Sequence, residues 1–369
     1  MKFQIKNKIF ILPILLIGVI FGYFLNHFSD LKEVVADDLF FSEQTATVRA
    51  IQKVSPSVVN IAVYKKDINI NLNTGKTTEE KVKKGLGTGF IISNDGYLVT
   101  NKHVIEFGEE ENLEYNIILD QGKSYEAKLI DKDPVNDLAI LKIDADNLPF
   151  VELGDSEKVQ VGSSVIVIGN AMGRYQNSVT KGIISGLGRS IVASDKVGNS
   201  ESLDNIIQTD AEINIGNSGG PMIDLHGKVI GISVAMDQTA DSIGFAIPIN
   251  DVKSVIQSAK NYGRIIRPKL GLRYIMVNPQ IVEERNLFRG NGALIIPGSD
   301  GSAAILPDSP AEEAGLGAGD IIFEINAIPI EGKNTLISVI QKYKPGDKIG
   351  MKIQRGDRVI MRILELDEF

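Results

Sequence analysis

The hydrophobic positions of this chain fall into three patterns. Ile9 to Leu25 is an uncharged apolar run, interrupted only by Pro13 and glycines and preceded by Lys2, Lys6 and Lys8. From Val48 onward, short β-rich segments alternate with turn residues, a spacing that predicts barrels. Ser57-Val58-Val59-Asn60-Ile61-Ala62-Val63, Gly87-Thr88-Gly89-Phe90-Ile91-Ile92 and Asn116-Ile117-Ile118-Leu119 form one set, with Asn94-Asp95-Gly96 and Asp120-Gln121-Gly122 as hairpin turns. A second set begins near Val159 with Ser164-Val165-Ile166-Val167-Ile168-Gly169, Val179-Thr180-Lys181-Gly182-Ile183-Ile184 and Val229-Ile230-Gly231-Ile232-Ser233-Val234. The third pattern is helical. Asn250-Asp251 reads as a cap for Val252, Val255, Ile256 and Ala259, with Gly263 as the stop. Between the strands of the first set, Lys65 to Lys84 is polar and charged and reads as a mobile surface loop.

Composition narrows the classes. The 369 residues allow two or three domains, and 36 glycines with few helical patterns suit a β-rich chain. A net charge of −8 without a basic cluster argues against nucleic acid as a partner. No cysteine is present, which removes disulfides, thiol catalysis and thiolate metal sites together. No cofactor and no metal are expected.

The 17 residues of the apolar run are at the short end for a membrane span and long for a signal-peptide core. Val34-Val35-Ala36 could serve as a cleavage site, but it lies behind Asp30, Lys32 and Glu33. The expected organisation is therefore a cytoplasmic segment 1–8, a transmembrane signal anchor 9–25 and a linker 26–45. The lysines stay inside and the remainder is exported. In a bacterium this places the chain in the inner membrane, single-pass, with its folded domains in the periplasm. Phe40-Phe41 in the linker call for burial, on their own domain or on a neighbour.

The candidate chemistry lies in Thr209-Asp210-Ala211-Glu212-Ile213-Asn214-Ile215-Gly216-Asn217-Ser218-Gly219-Gly220-Pro221. A serine inside Gly-x-Ser-Gly-Gly-Pro sits on a tight turn that presents its hydroxyl. The amides of Gly216 and Ser218, with Asn217 as a further candidate, converge there as an oxyanion hole. The alternative is a glycine hairpin with an incidental serine. A serine nucleophile needs a base and an orienting acid. Of three histidines, His27 flanks the apolar run and His226 sits in the polar turn Asp224–Lys228. His103 ends the β-rich run Gly96–Ile105, where a scaffold presents catalytic side chains. Asp137, at the start of the apolar stretch Leu138-Ala139-Ile140-Leu141, is the acid candidate. Asp131 and Asp133 are rivals that sit among turn residues and are expected in solvent.

Thr100-Asn101-Lys102-His103-Val104, Asn136-Asp137-Leu138-Ala139, Gly216–Pro221 and Gly244-Phe245-Ala246-Ile247-Pro248 resemble the HtrA family of chymotrypsin-fold serine proteases. Ser309-Pro310-Ala311-Glu312-Glu313-Ala314-Gly315-Leu316-Gly317-Ala318-Gly319-Asp320, continuing into Ile325–Ile330, resembles a PDZ domain. The match runs from about residue 45 to about 366. It implies a mainly β fold: two six-stranded barrels of a protease domain, 46–260, followed by an α+β PDZ domain, 265–366. It also implies a serine endopeptidase that cleaves unfolded or regulatory proteins.

Further implications stay tied to that resemblance. Ile232-Ser233-Val234-Ala235 should border the primary pocket and favour small aliphatic side chains before the cut. Glu212 holds the position where trypsin-like enzymes select Lys or Arg, although this family does not use it so. Arg189 matches a regulatory arginine that relays ligand occupancy; Asp320 is a candidate partner across the domain interface, a contact that no sequence feature demonstrates. Lys269-Leu270-Gly271-Leu272 matches the loop that takes a terminal carboxylate, for apolar C-terminal peptides added as an extra strand. Family members trimerise through aromatic residues before the protease domain, which points to Phe40-Phe41. Three departures stand out: Ile215 replaces a usual proline, Lys269 a common aromatic, and Pro297–Ala304 looks inserted. One PDZ module with an anchor looks most like the membrane-anchored stress sensors of the family, where misfolded outer-membrane protein tails activate cleavage of an anti-sigma factor. A general degradative protease or chaperone, and a proteolytically inactive PDZ binding protein, are the alternatives.

Overall fold

Alternation along the strands builds two barrels and the seam between them. The computed structural model describes residue 23 and residues 43–70, 77–108, 112–120, 122–171, 175–194, 200–214, 216–234, 243–298 and 301–369. The anchor apart from Tyr23, the Val34–Ala36 site, His27, Phe40-Phe41, Ile215 and Ala235 lie outside the described residues. Among the described residues, no helix is long and apolar enough to cross a membrane.

Strands β1 (Val58–Ile70), β2 (Thr77–Ile91), β3 (Tyr97–Thr100), β4 (Leu113–Ile118), β5 (Ser124–Lys132) and β6 (Ala139–Ile143) close a barrel in the order β1-β2-β3-β6-β5-β4. Val59, Ile61 and Val63 of β1 and Ala139, Leu141 and Ile143 of β6 fill it. Their alternates Val58, Leu138 and Ile140 face a second core shared with the next barrel.

That barrel uses β8 (Ser164–Ala171), β9 (Tyr175–Ser194), β10 (Ser200–Thr209), β11 (Pro221–Ile223), β12 (Lys228–Val234) and β13 (Gly244–Pro248), closed by β11 pairing β12. The two-residue strand β7 (Glu152–Leu153) adds in parallel to β12. Val165 and Val167 point into the barrel while Ile166 and Ile168 enter the shared core, so β8 is apolar on both faces.

Two sequence expectations change here. The described residues of the polar stretch Lys65 to Lys84 are strand and not loop: β1 and β2 pair from Lys65↔Val82 to Ile70↔Thr77. Strand pairing is made by backbone N–H and C=O groups, so a polar sequence does not exclude it. The joint helix starts at Ile249, and Pro248 caps it without a side-chain bond. Asn250 instead donates to Asp155 Oδ1 (2.8 Å). With α1 spanning residues 43–54 and α2 Lys102–Ile105, this joint helix is α3 (Ile249–Tyr262). Gly263, at φ +70°, ends it in the left-handed region.

The C-terminal module pairs β15 (Tyr274–Met276), β16 (Ala293–Ile295), β17 (Ile321–Ile325), β19 (Lys348–Arg355) and β20 (Arg358–Glu365) in that order, with β18 (Ile328–Pro329) beside β17. Helices α4 (Pro279–Arg285), α5 (Pro310–Glu313) and α6 (Leu336–Ile340) complete it. The linking strand β14 (Pro268–Lys269) pairs with β21 (Asp367–Glu368).

Candidate active site

Val104 and Ile105 bury into the first barrel at the single turn of α2, which leaves His103 on its outer side. Asp137 ends the turn that precedes β6, where Leu138 and Ala139 plunge into the cores and draw the carboxylate to 3% exposure. The two residues meet twice. The His103 amide donates to Asp137 Oδ1 (2.9 Å), and the imidazole Nδ1–H donates to Oδ2 (2.6 Å). Asn101 Nδ2 holds the Asp137 carbonyl (2.8 Å). This grip fixes both the tautomer and the plane of the ring.

The serine turn is seated on both barrels. From the first, the Thr88 hydroxyl donates to the Gly216 carbonyl (2.6 Å) and the Thr88 amide to the Ser218 carbonyl (3.1 Å). From the second, the Ser233 hydroxyl donates to the Asn217 carbonyl (2.6 Å), while Gly219 N donates to Ser233 O (2.9 Å). Peptide planes carry N–H and C=O on opposite sides. With the Asn217 carbonyl turned to Ser233, the Ser218 amide points the other way. Gly219 has φ +82°, and a Cβ there would lie 2.2 Å from Thr88 O and 3.2 Å from the Asn101 nitrogen. Only glycine permits this approach, which brings the serine turn against the residues leading into His103.

Asn217 does not offer its amide as an oxyanion donor, contrary to the sequence expectation. Its N–H is committed to Asn214 O (3.2 Å). Its side chain braces the loop instead, with Oδ1 accepting from Asn214 N (2.9 Å) and Nδ2 donating to Glu212 O (3.2 Å). Gly216 has φ +111°.

The other predicted residues are distributed as follows. Ile232, Ser233 and Val234 are buried, and Ser233 spends its hydroxyl under the serine turn. Glu212 is exposed, and its carboxylate accepts from Asn214 Nδ2 (2.7 Å). His226 caps the turn between β11 and β12, where its amide bonds Asp224 Oδ1 (2.8 Å). Arg189 folds over Gly186, whose Cβ would stand 2.9 Å from its Nε. Asp320 is not its partner: Arg355 takes that carboxylate through two nitrogens, at 2.7 and 2.6 Å. In the PDZ module, Gly271 at φ +77° packs on Ser309, and Ala311 N donates to Leu270 O (3.0 Å). Lys269 lies over the Phe369 ring.

Asp133 is the clearest departure. It is fully buried, and Arg267 chelates it. Thr88, Thr100, Asn101, Asp133 and Arg267 all shape the site, and the sequence motifs single out none of them for this role. The Thr100 hydroxyl closes the set by donating to Thr88 O (2.7 Å). Thr100 and Asn101 do flank the histidine, and that adjacency was the only available signal.

Comparison with known proteins places the two domains. A trypsin-like peptidase domain matches residues 87–232, and a PDZ domain matches residues 268–362. The chain is 40% identical over 279 residues to a probable periplasmic serine endoprotease, DegP-like, of a Marinomonas sp., covering 75% of this chain and 55% of that protein. It is 33% identical over 331 residues to the putative serine protease HhoB of a Synechocystis sp., covering 84% of this chain and 76% of that protein. The chain thus spans about half the length of several DegP-like relatives it matches, at 55% for the Marinomonas and Rickettsia conorii proteins. Among solved structures, the HtrA-type protease AlgW with a decapeptide superposes with a TM-score of 0.66 at 30% identity, over 88% of this chain and 98% of that one. With two β-barrels, a serine turn between them and a PDZ module after them, the chain belongs to the HtrA family of trypsin-like serine endoproteases.

Proposed function

We propose that the protein is an exported, membrane-anchored serine endopeptidase whose PDZ domain admits apolar C-terminal peptides and thereby governs cleavage. Its catalytic residues are His103, Asp137 and Ser218. The observation that carries this reading is the double hydrogen bond between His103 and Asp137, at 2.9 and 2.6 Å, beside a serine turn clamped by Thr88. With Nδ1 engaged by the carboxylate, Nε2 is left as the base. It takes the Ser218 proton as Oγ attacks a peptide carbonyl, and returns it to the leaving amine. Asp137 steadies the imidazolium in between. The Gly216 and Ser218 amides receive the oxyanion.

The edge position of β15 supports peptide addition at the PDZ domain, with the Leu270-Gly271-Leu272 amides taking the carboxylate. Two DegP-like relatives are named as periplasmic, which agrees with export behind the segment 9–25. Small aliphatic residues before the cut are expected from the neighbourhood of Ile232 and Val234.

The test is casein proteolysis by the full chain, with and without apolar C-terminal peptides and with Ser218→Ala as control. Peptide-dependent cleavage that Ser218→Ala abolishes is the expected result. Equal cleavage without peptide would make the protein a constitutive degradative protease. Cleavage by Ser218→Ala at the parent rate, or none under any condition, would sink the assignment.

A further inference from the structure

The joint between α3 and the PDZ module is built onto the turn that carries Asp137. After Gly263 the chain turns inward, and Ile265 and Arg267 fall to 6% and 2% exposure. Ile265 N donates to Asp131 Oδ2 (2.8 Å) and Ile266 N to Ser258 Oγ (2.8 Å). Arg267 then spreads its guanidinium over Asp133. Nε reaches both carboxylate oxygens at 3.2 and 3.1 Å, and a terminal nitrogen reaches Oδ2 at 2.5 Å. Its other contacts go to Ser254 Oγ (3.0 Å) and the Asp251 carbonyl (3.2 Å), both on α3. A planar fork held this way keeps one orientation, which a lysine cannot reproduce.

Asp133 also shapes its own turn. Oδ1 accepts from Val135 N (3.0 Å) and Oδ2 from Asn136 Nδ2 (3.3 Å). The Asp133 amide bonds Leu138 O (2.9 Å), and Leu138 N bonds Asn136 O (2.7 Å). Asp137 lies inside this knot, so its direction follows from how Asp133 is held. A carboxylate without solvent exposure needs a cation at contact distance, and Arg267 supplies it.

We propose that Arg267 is a positioning residue of the hydrolytic site: by closing on Asp133 it sets the turn from which Asp137 orients His103. The proposal rests on the reading of Asp137 as the triad acid. It also gives the joint a second role. Arg267 immediately precedes β14, and its carbonyl accepts from Phe369 N (3.1 Å), so the residue that attaches the PDZ module also fixes the acid turn.

The experiment uses the full chain with a saturating apolar C-terminal peptide present in every sample, and reads covalent labelling of Ser218 by a fluorophosphonate probe, which needs the triad. Rates are taken across about pH 5 to 9, where an imidazole titrates. Arg267→Lys and Asp133→Asn are expected to slow labelling by about 10- to 100-fold, the scale of a displaced catalytic group. Their pH midpoints should also move down, because an imidazolium that loses its carboxylate is less favoured. Arg355→Lys weakens the two-nitrogen ion pair on buried Asp320 inside the PDZ module, whose arginine is 44% exposed, and should keep both the parent rate and the midpoint. Melting curves identify the temperature at which each variant is folded. If one of the two joint variants does not fold, the other carries the test. Asp137→Asn separates the two readings. Parent-rate labelling by Asp137→Asn would overturn the triad and the proposal together. Slow labelling by Asp137→Asn, with parent rate and midpoint in folded Arg267→Lys or Asp133→Asn, would overturn the proposal alone. Slowing by Arg355→Lys equal to that of the joint variants would also overturn it, since lost stability would then explain the effect.

Discussion

The Tyr274 hydroxyl donates to Asp204 Oδ2 at 2.5 Å, tying the edge strand of the PDZ module to β10 of the second barrel. Helix α6 also packs against β10. Burial, followed by the Asp204 charge and the bond to it, holds the phenol pKa well above its usual value. The hydroxyl therefore stays protonated and keeps donating.

Tyr274→Phe preserves the packing of the ring and removes the bond. The expected stability loss is about 1.5 to 3 kcal/mol, the range for a hydrogen bond to a charged group. Amide exchange should quicken in β10 and α6 and stay unchanged in the first barrel. Uniform exchange across all three regions would show that the bond does not hold the module.

Thr88→Val tests the seat of the serine turn. The variant keeps its shape and loses the donor to the Gly216 carbonyl, a buried oxygen. Lowered kcat with KM nearly unchanged is expected, because the loop matters most when charge develops on the substrate oxygen. A loss of about tenfold is a reasonable scale, below the ~100-fold of deleting a direct donor. Steady-state hydrolysis of a peptide substrate measures it, and unchanged kcat would remove Thr88 from the site.

How much of this was readable in advance depends on distance along the chain. The barrels announced themselves because each strand carries its own alternation and turn signals, and Val165–Ile168 read as a strand even with both faces apolar. The candidate histidine, acid and serine stood out because each sits in a short contiguous motif. Arg267 and Asp133 did not, since they lie 134 positions apart and an aspartate among turn residues defaults to solvent. The same default hid the ribbon of β1 and β2: Lys65↔Val82 and Lys66↔Lys81 pair through the backbone, and side-chain polarity is silent about that. No sequence feature demonstrates the contact of Asp320 with Arg189 across the interface. Arg355, which takes the Asp320 carboxylate, faces it within one module.

Gly188 marks a second contact between the modules. It has φ +63°, and a Cβ there would lie 2.8 Å from Gly332 O and 2.9 Å from Lys333 Cα. Gly188→Ala combines left-handed backbone strain of about 1 kcal/mol with a backbone clash. Faster limited proteolysis of the 263–268 joint is expected, with the barrels resistant. Unaltered cleavage of the joint would show that the module does not press on β9.

Asp251 gives the chain a pH dependence whose sign can be fixed. Burial raises its pKa from 3.8 to about 6, against the Asn205 hydrogen bond and the Arg267 and Lys342 charges, with Asp133 pushing the same way as burial. Between these two values the folded chain binds more protons at this residue than the unfolded chain does. Stability from this group therefore falls as pH rises through that window, and the penalty is complete above about pH 6. About two units correspond to roughly 3 kcal/mol, an upper figure because the residue keeps some solvent contact. Asp251→Asn removes the titration while leaving an oxygen for Asn205. At about pH 8 the variant should be more stable than the parent by roughly 1 to 3 kcal/mol, and near pH 4 the two should agree. Denaturant melts at the two pH values decide it. A gain that is equal at both would mean that packing, and not the buried charge, separates the two chains.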